Sequence, residues 1–389
     1  MSAPLVKGWC PGALRPMPSG DGLLVRVRPP TGRLTQAQAA GIAHLAARHG
    51  NGLIDLSARA NVQIRGVTDQ THAPLVAGLA TLGLIDPTPE AEARRNIVVT
   101  PYWQAGDGTA ELAERLTSAV LDDPTIRLPG KFGFALDTGA HPVLREVSAD
   151  IRIERDATGA LLCRADGAAG GARVTPDGMA HTALALARWF VASGGQGRMA
   201  AHLAGGAALP AAFTEMEAAP AIGAPAPAPH RAVAGVLVGV AFGQMQARTL
   251  AALADLAPLR VTPWRLLLLE GQTRAPEIAH IITRPDDPLL RVVACTGAPG
   301  CTQALHPTRV LARALAPHIP AGALLHVSGC AKGCAHPGPT PLTLVAQTHG
   351  FDLVRGGTAA TTPIRRHLTV EQMLVTPGLL TEGPDAPPL

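Results

Sequence analysis

Four of the six cysteines lie in two close pairs near the end of this 389-residue chain. Five residues separate Cys295 from Cys301, three separate Cys330 from Cys334, and 28 lie between the pairs. Four thiolates can hold an iron–sulfur cluster or a zinc ion. The spacings match neither the short knuckles of structural zinc sites nor the closely spaced cysteines of small ferredoxins. They favour an iron–sulfur cluster, with a zinc site or two unligated thiol pairs as alternatives.

Glycines accompany these cysteines at positions 297, 300, 329 and 333. A glycine lets backbone N–H groups approach the sulfurs of a cluster, and such hydrogen bonds help to set its reduction potential. Lys332 lies between two of the cysteines, where its charge either stabilises a reduced cluster or extends into solvent. Cys10 and Cys163 have no partner pattern and are expected to be small buried hydrophobic residues.

The elements that must position the cysteines follow a pattern that occurs twice. In the first half, the predicted elements are a strand at 22–28, a helix at 35–49 with Thr35 as N-cap, and strand character over 53–67. In the second half, the corresponding segments are 235–240, 247–256 and 261–271. Further strands are predicted at 95–100 and 291–294, and further helices at 107–121 and 177–192. The repeated order predicts an internal duplication, with a ligand at the joint between the halves.

Composition excludes several classes of protein. The net charge is +4 and the arginines are dispersed among acids, which is not typical of a nucleic-acid-binding surface. The longest apolar runs, such as 234–242, fall well short of the ~20 residues that span a bilayer. The amino-terminal segment lacks the apolar core of a signal peptide, and the rest of the chain is poor in thiols. We therefore expect a soluble cytoplasmic protein with no nucleic-acid or membrane partner.

Basic residues are almost all arginine, because only three lysines occur: Lys7, Lys131 and Lys332. Lys131 and Lys332 both fall within motifs that could do chemistry. Residues 205–230 are dominated by alanine, proline and glycine, which predicts a linker that proline partly stiffens.

The cysteine motif resembles that of the siroheme-dependent sulfite and nitrite reductase superfamily, since the second pair lies within HVSGCAKGCAHP. Three further segments resemble the same superfamily in the same order. They are Ser57-Ala-Arg59-Ala-Asn61-Val-Gln63, Arg94-Arg95-Asn96 and Leu128-Pro-Gly-Lys131-Phe. The resemblance covers nearly the whole chain. It implies an internally duplicated α+β fold, with two ferredoxin-like half-domains and two larger α+β units, and a four-iron, four-sulfur cluster.

That fold predicts five segments along the chain. They are a first ferredoxin-like half-domain at 1–85, a first α+β domain at 86–204, the linker at 205–230, a second half-domain at 231–285, and a second α+β domain at 286–389 that carries the cluster.

Within the superfamily, the segments GWCPGALRPM, GNGLIDLSARANVQIRG and RRNIVVTP are similar to the branch that acts with dioxygen in aerobic cobalamin biosynthesis. That branch hydroxylates precorrin-3A at C20 and closes a lactone from the ring A acetate. One departure separates this chain from the reductases. Their second lysine, two residues after the first, is replaced here by Gly133. A site with less positive charge is less suited to the six-electron reduction of sulfite, and siroheme is not expected.

The resemblance implies roles for particular residues. Arg59, Asn61, Gln63, Arg95 and Lys131 are expected to bind the substrate, with Arg59 and Lys131 also catalytic, because arginine donates paired hydrogen bonds to carboxylates. The cluster ligands would be Cys295, Cys301, Cys330 and Cys334. For each arginine alone, a surface salt bridge is the commoner role.

The resemblance also implies a mononuclear non-haem iron, for which no ligand motif stands out in the sequence. Precorrin-3A and dioxygen are the expected partners. An external electron donor or NADH-linked reductase is expected as well, because no GxGxxG follows a predicted strand. Two alternatives are a siroheme-dependent sulfite or nitrite reductase and a non-catalytic iron–sulfur electron-transfer protein.

Overall fold

The computed structural model describes residues 10–214, 222–224 and 227–381, and Lys7 lies outside them. The strands of the first half are β1 (Met17–Ser19), β2 (Gly22–Val27), β3 (Arg33–Leu34), β4 (Leu53–Leu56), β5 (Val62–Val67), β6 (Ile97–Val99), β7 (Phe134–Asp137), β8 (Ile151–Arg155), β9 (Leu161–Ala165) and β10 (Ala172–Arg173). Its helices are α1 (Gln36–His49), α2 (Asp69–Thr81), α3 (Pro89–Arg94), α4 (Thr109–Asp122), α5 (Met179–Ala192) and α6 (Met199–Ala204).

The strands of the second half are β11 (Arg231–Ala232), β12 (Gly235–Val240), β13 (Gln244–Gln246), β14 (Leu259–Val261), β15 (Leu266–Glu270), β16 (Ile281–Ile282), β17 (Val292–Ala294), β18 (Leu325–Ser328), β19 (Thr340–Gln347), β20 (Gly350–Gly357) and β21 (Arg365–Leu368). Its helices are α7 (Ala247–Ala254), α8 (Arg309–Leu315) and α9 (Val370–Val375). Short 3-10 turns lie at Pro30–Gly32, Ala211–Phe213, Ala241–Gly243, Pro288–Arg291, Ala316–His318 and Pro377–Leu380.

The larger sheet of each half has the same topology. The order is β10-β9-β8-β7-β6 in the first half and β17-β18-β19-β20-β21 in the second. In both, the first three strands along the chain are parallel and the remaining two are antiparallel. These sheets confirm the predicted duplicated α+β class and place the segments after β6, β7, β17 and β18 at carboxyl ends of parallel strands.

The two smaller sheets exchange strands. One has the order β1-β2-β5-β4-β13, and the other has the order β11-β12-β15-β14-β3 with β16 beside β12. Both exchanged strands follow a 3-10 turn with one left-handed residue, Thr31 at φ 52° and Phe242 at φ 57°. Strands of both halves therefore contribute to one hydrophobic core, in which α1 packs against α7. The predicted segments 1–85 and 231–285 share that core, and their boundaries stay predictions.

The local sequence explains most of these elements. Helix α1 begins at the predicted Thr35, whose hydroxyl accepts from the Gln38 N–H while the Gln38 side chain accepts from the Thr35 N–H. The predicted strand character over 53–67 corresponds to two strands, β4 and β5. The chain turns at residues 57–61 and forms the antiparallel hairpin β4–β5, because Ala60 adopts a left-handed φ of 53°. The predicted linker lies in part outside the described residues.

Candidate functional site

The four cysteines of the predicted cluster motif lie on loops at the carboxyl ends of two parallel strands. Cys295 directly follows β17, and Cys330 lies two residues after β18. The Cys295–Cys301 loop turns back through a hydrogen bond from the Cys301 N–H to the Gly297 carbonyl, 2.9 Å. Gly297 has a φ of 70°, a backbone conformation that favours glycine. The two loops meet where the Leu305 N–H donates to the Gly329 carbonyl, 2.9 Å.

The surroundings of the thiols suit anionic sulfur. The Gly329 N–H donates to Cys295 Sγ at 3.1 Å, which is the kind of contact predicted from the glycines. Partial loss of hydration raises the pKa of the Cys334 thiol, the charge of Lys332 lowers it, and the thiols of Cys295, Cys330 and Cys301 each raise it further. Cys334 therefore lies close enough to the other three cysteines and to Lys332 for their charges to act on its thiol.

Four thiols on two neighbouring loops, one of which accepts a backbone hydrogen bond, have the donor chemistry of an iron–sulfur cluster. In the part of the chain that the structure describes, no group of three or more His, Cys, Asp or Glu side chains is arranged to hold a metal ion. That finding includes the four cysteines, so the cluster and the mononuclear iron both stay predictions.

Arg59 lies on the turn of the β4–β5 hairpin, and that turn is fixed by one hydroxyl. Ser57 Oγ accepts from the N–H of Arg59 at 3.3 Å and of Asn61 at 3.2 Å. The Arg59 guanidinium then donates to the Lys131 carbonyl at 3.1 Å and approaches Cys10 Sγ at 3.7 Å. Two motifs that are 72 residues apart are thereby brought together.

Arg26 is a site residue that sequence reasoning missed. It lies on β2, and both its Nε (3.1 Å) and Nη2 (2.7 Å) donate to Gln63 Oε1. Burial lowers the pKa of Arg26 to about 10, because the nearby Cys10 only partly offsets the loss of hydration while Arg28 and Arg59 add repulsion. No carboxylate within 4.0 Å pairs with Arg26 or Arg59 among the described residues. The sequence signal for Arg26 was its place in the charged segment GLLVRVR, which alternates like a strand.

The remaining predicted residues divide into two groups. Asn61 is buried, and Gln63 holds Arg26. The Lys131 side chain is exposed, and its carbonyl also accepts from Arg198. Arg95, in contrast, makes a two-point ion pair with Asp86 at 2.6 and 2.8 Å, so its charge is already neutralised. Arg59 contacts the Lys131 carbonyl, and Gln63 holds the neighbouring Arg26. Arg95 instead pairs with Asp86 within the protein.

Gly133 replaces the second lysine of the reductases, and the structure shows why a side chain is disfavoured there. A Cβ at position 133 would lie 2.7 Å from Asn96 Nδ2 and 2.9 Å from the Asn96 carbonyl oxygen. The Gly133 N–H also donates to Asp150 Oδ2 at 2.9 Å in a buried contact. The backbone at this position is therefore packed too closely for a lysine without movement of β6.

The duplication explains why one half carries this basic site. In the second half, the equivalent hairpin is fixed in the same way, since Thr262 Oγ1 accepts from the N–H of Trp264 (3.3 Å) and of Leu266 (3.2 Å). Trp264 occupies the position of Arg59, and it packs against the buried cluster of Leu237 on β12 and Leu266 and Leu268 on β15. A hydrophobic cluster thus fills the equivalent space.

Comparisons with known proteins agree with this geometry. Residues 15–82 match the profile of the nitrite/sulfite reductase ferredoxin-like half domain. The structure of the Mycobacterium tuberculosis NirA protein is similar with a TM-score of 0.65 and 20% sequence identity, over 91% of this chain and 79% of that chain. The protein therefore has the fold of that group, as the motifs predicted.

A curated precorrin-3B synthase from Sinorhizobium sp is 29% identical over 421 aligned residues, which cover 92% of this chain and 84% of that protein. This similarity confirms the predicted resemblance, and it indicates an enzyme rather than a non-catalytic electron-transfer protein. Among the described helices, none is long and apolar enough to cross a membrane.

Proposed function

We propose that this protein is a precorrin-3B synthase, which hydroxylates precorrin-3A at C20 and forms the ring A lactone with dioxygen. One oxygen atom enters the product and the other leaves as water, so two electrons and two protons are consumed. An external donor or NADH-linked reductase supplies the electrons, in a cytoplasmic setting. The full-length similarity to a precorrin-3B synthase supports the proposal.

The observation that carries the proposal is the pair Arg26 and Arg59. Partly buried guanidinium groups without a carboxylate partner are costly, and an anionic ligand would offset that cost. A reduced tetrapyrrole with carboxylate arms is such a ligand, and each arm can accept two parallel hydrogen bonds from an arginine. Lys131 is exposed beside them and would add a third positive charge.

In this proposal the chain's own residues bind and orient the substrate. Ser57 fixes the turn that carries Arg59, and Gln63 fixes Arg26, so that both cations are held before the substrate arrives. The backbone carbonyl of Lys131 aligns Arg59 on one side, and Cys10 lies on the other. Asn61 supports the hairpin through its buried backbone.

The cluster would be held by Cys295, Cys301, Cys330 and Cys334, and it would supply electrons one at a time. The Gly329 N–H would stabilise the negative charge of the sulfur ligand Cys295, and Lys332 the charge near Cys334. A mononuclear non-haem iron, which the resemblance implies as the oxygen-activating centre, stays part of the proposal without assigned ligands, and we assign no step to it.

A siroheme-dependent sulfite or nitrite reductase is the second candidate, since the fold belongs equally to those enzymes. The packing of Gly133 against Asn96 argues against it, because the second lysine of their anion site has no room. The commitment of Arg95 to Asp86 removes a further cation from the site.

Metal, sulfide and absorption analysis of anaerobically purified protein tests the assignment. We expect sulfide with at least an equal amount of iron, and a broad brown shoulder without intense Soret bands. Stoichiometric siroheme would reject the synthase in favour of the reductase. Zinc without sulfide would reject the cluster.

A further inference from the structure

Residues of the other half of the chain hold the Cys295–Cys301 loop through hydrogen bonds. The Gly300 carbonyl, next to Cys301, accepts three hydrogen bonds. The donors are Ser19 Oγ at 2.6 Å, the Gly20 N–H at 3.2 Å and Arg65 Nη2 at 2.8 Å. All three donors come from the first half, so a single carbonyl joins the two halves beside a predicted cluster ligand.

The other contacts of Arg65 hold its side chain in place for this hydrogen bond. It is 2% exposed. Its Nε donates to Asp21 at 2.9 Å and its Nη1 to Asp55 at 3.0 Å, while Nη2 also donates to Asp21 at 2.7 Å. Asp55 in turn accepts from Arg309, at 3.3 Å, at the start of α8. The two arginines balance the two aspartates, so the network is close to neutral. Its effect on the loop is therefore positional rather than a matter of added charge.

The approach between the halves is close. A Cβ at Gly20 would lie 2.1 Å from the Pro299 carbonyl oxygen, so the β1–β2 turn touches the loop backbone directly. Arg65 also lies on β5, two residues after Gln63. One strand therefore holds both a predicted substrate-site residue and the loop of a predicted cluster ligand.

We propose that Arg65 is a positioning residue that, with Ser19, fixes the Cys295–Cys301 loop against the first half and so holds the cluster beside the substrate site. The proposal rests on the cluster assignment made above. A loop held only by its own half would open more often, and opening would expose the cluster to solvent and oxygen.

Arg65→Lys tests this role, because one ammonium cannot reach both aspartates and the Gly300 carbonyl. Ser19→Ala is a milder second variant that removes one donor. Arg164→Lys is the matched control. Arg164 is also buried and ion-paired, to Glu154, and it also donates to a carbonyl, that of Ala168, but it lies in the first α+β unit.

The measurements are iron and sulfide content after anaerobic purification, the rate of cluster bleaching in air, and the electron paramagnetic resonance spectrum of the reduced protein. We expect Arg65→Lys to bleach about tenfold faster than the natural protein and Ser19→Ala about threefold faster, since each loses hydrogen bonds that close the loop. The spectrum of Arg65→Lys should also change, whereas Arg164→Lys should keep both the spectrum and the bleaching rate.

The outcomes distinguish failure of the proposed function from failure of the positioning role of Arg65. If the natural protein holds no iron or sulfide, the proposed function fails before the variants matter. If the natural protein holds the cluster, and Arg65→Lys and Ser19→Ala both bleach at its rate, the positioning role is overturned. Where Arg65→Lys does not fold, the Ser19→Ala rate alone decides.

Discussion

Replacing Arg26 by methionine should make the ligand-free protein at least as stable while weakening tetrapyrrole binding. The pKa of Arg26 falls from 12.5 to about 10, which corresponds to roughly 3 kcal/mol of unfavourable desolvation and repulsion. Methionine removes that cost and keeps much of the side-chain volume. It also leaves Gln63 Oε1 without its two donors, which costs about 1–3 kcal/mol. The expected net change is about 0–2 kcal/mol in favour of folding.

Binding should change in the opposite direction. A charge-assisted hydrogen bond to a carboxylate contributes about 1.5–3 kcal/mol, so losing it should raise the dissociation constant about 10–100-fold. Chemical denaturation measures the first quantity, and an absorption titration with precorrin-3A measures the second. Arg28→Met is the control, because Arg28 is buried and paired with Glu92 at 3.2 Å. Removing it should destabilise the protein by about 3–5 kcal/mol.

The reasoning would be refuted by an Arg26→Met protein that is clearly less stable and binds the tetrapyrrole with unchanged affinity. That result would mean that Arg26 serves the fold, as Arg28 does, and that the unpaired charge is not kept for a ligand.

Four further outcomes are expected. Lys131→Ala should weaken tetrapyrrole binding about tenfold in a titration and leave the cluster spectrum unchanged, because the side chain is exposed and packs little. Cys334→Ser should lower iron and sulfide content, and unchanged content would reject this ligand. Gly133→Lys should lower the free energy of unfolding by about 1–3 kcal/mol without producing sulfite reduction. Burial raises the pKa of Asp137 to about 6, so the folded protein favours the protonated carboxyl group. The free energy of unfolding therefore falls as the pH rises from about 4 to 6. Asp137→Asn should therefore gain up to about 3 kcal/mol over the natural protein between about pH 4 and 7, and parallel denaturation curves would contradict this.

The sequence predicted the parts of the site that depend on spacing. The cysteine pairs, the Arg59 segment and Lys131 are short motifs that spacing alone can reveal. For the cysteine pairs, the parallel strands β17 and β18 bring the loops at their carboxyl ends together. The N-cap at Thr35 was also visible, because a capping residue and the Gln three residues later are local signals.

Other features depend on contacts that no local pattern contains. The hairpin turn at Ala60 requires a left-handed alanine, which β propensity does not reveal. The partner of Arg95 is Asp86, only nine residues away, yet nothing in the sequence distinguishes that pair from a free arginine beside a ligand. Arg26 is the converse case. Its lack of a carboxylate partner becomes visible only in the folded protein, where its neighbours are Gln63, Cys10 and Arg59.

The exchange of β3 and β13 was likewise hidden, because each strand is only two or three residues long and pairs with the opposite half. The counterpart of Arg59 in the second half, Trp264, packs against an apolar cluster instead.

Incubation with precorrin-3A, a reductant and 18O-labelled dioxygen, followed by mass spectrometry, tests the central claim most directly. We expect precorrin-3A to be consumed and the product to contain one labelled oxygen atom, with the second recovered in water. Product that carries no label, or precorrin-3A left unchanged by protein that holds its cluster, would contradict it.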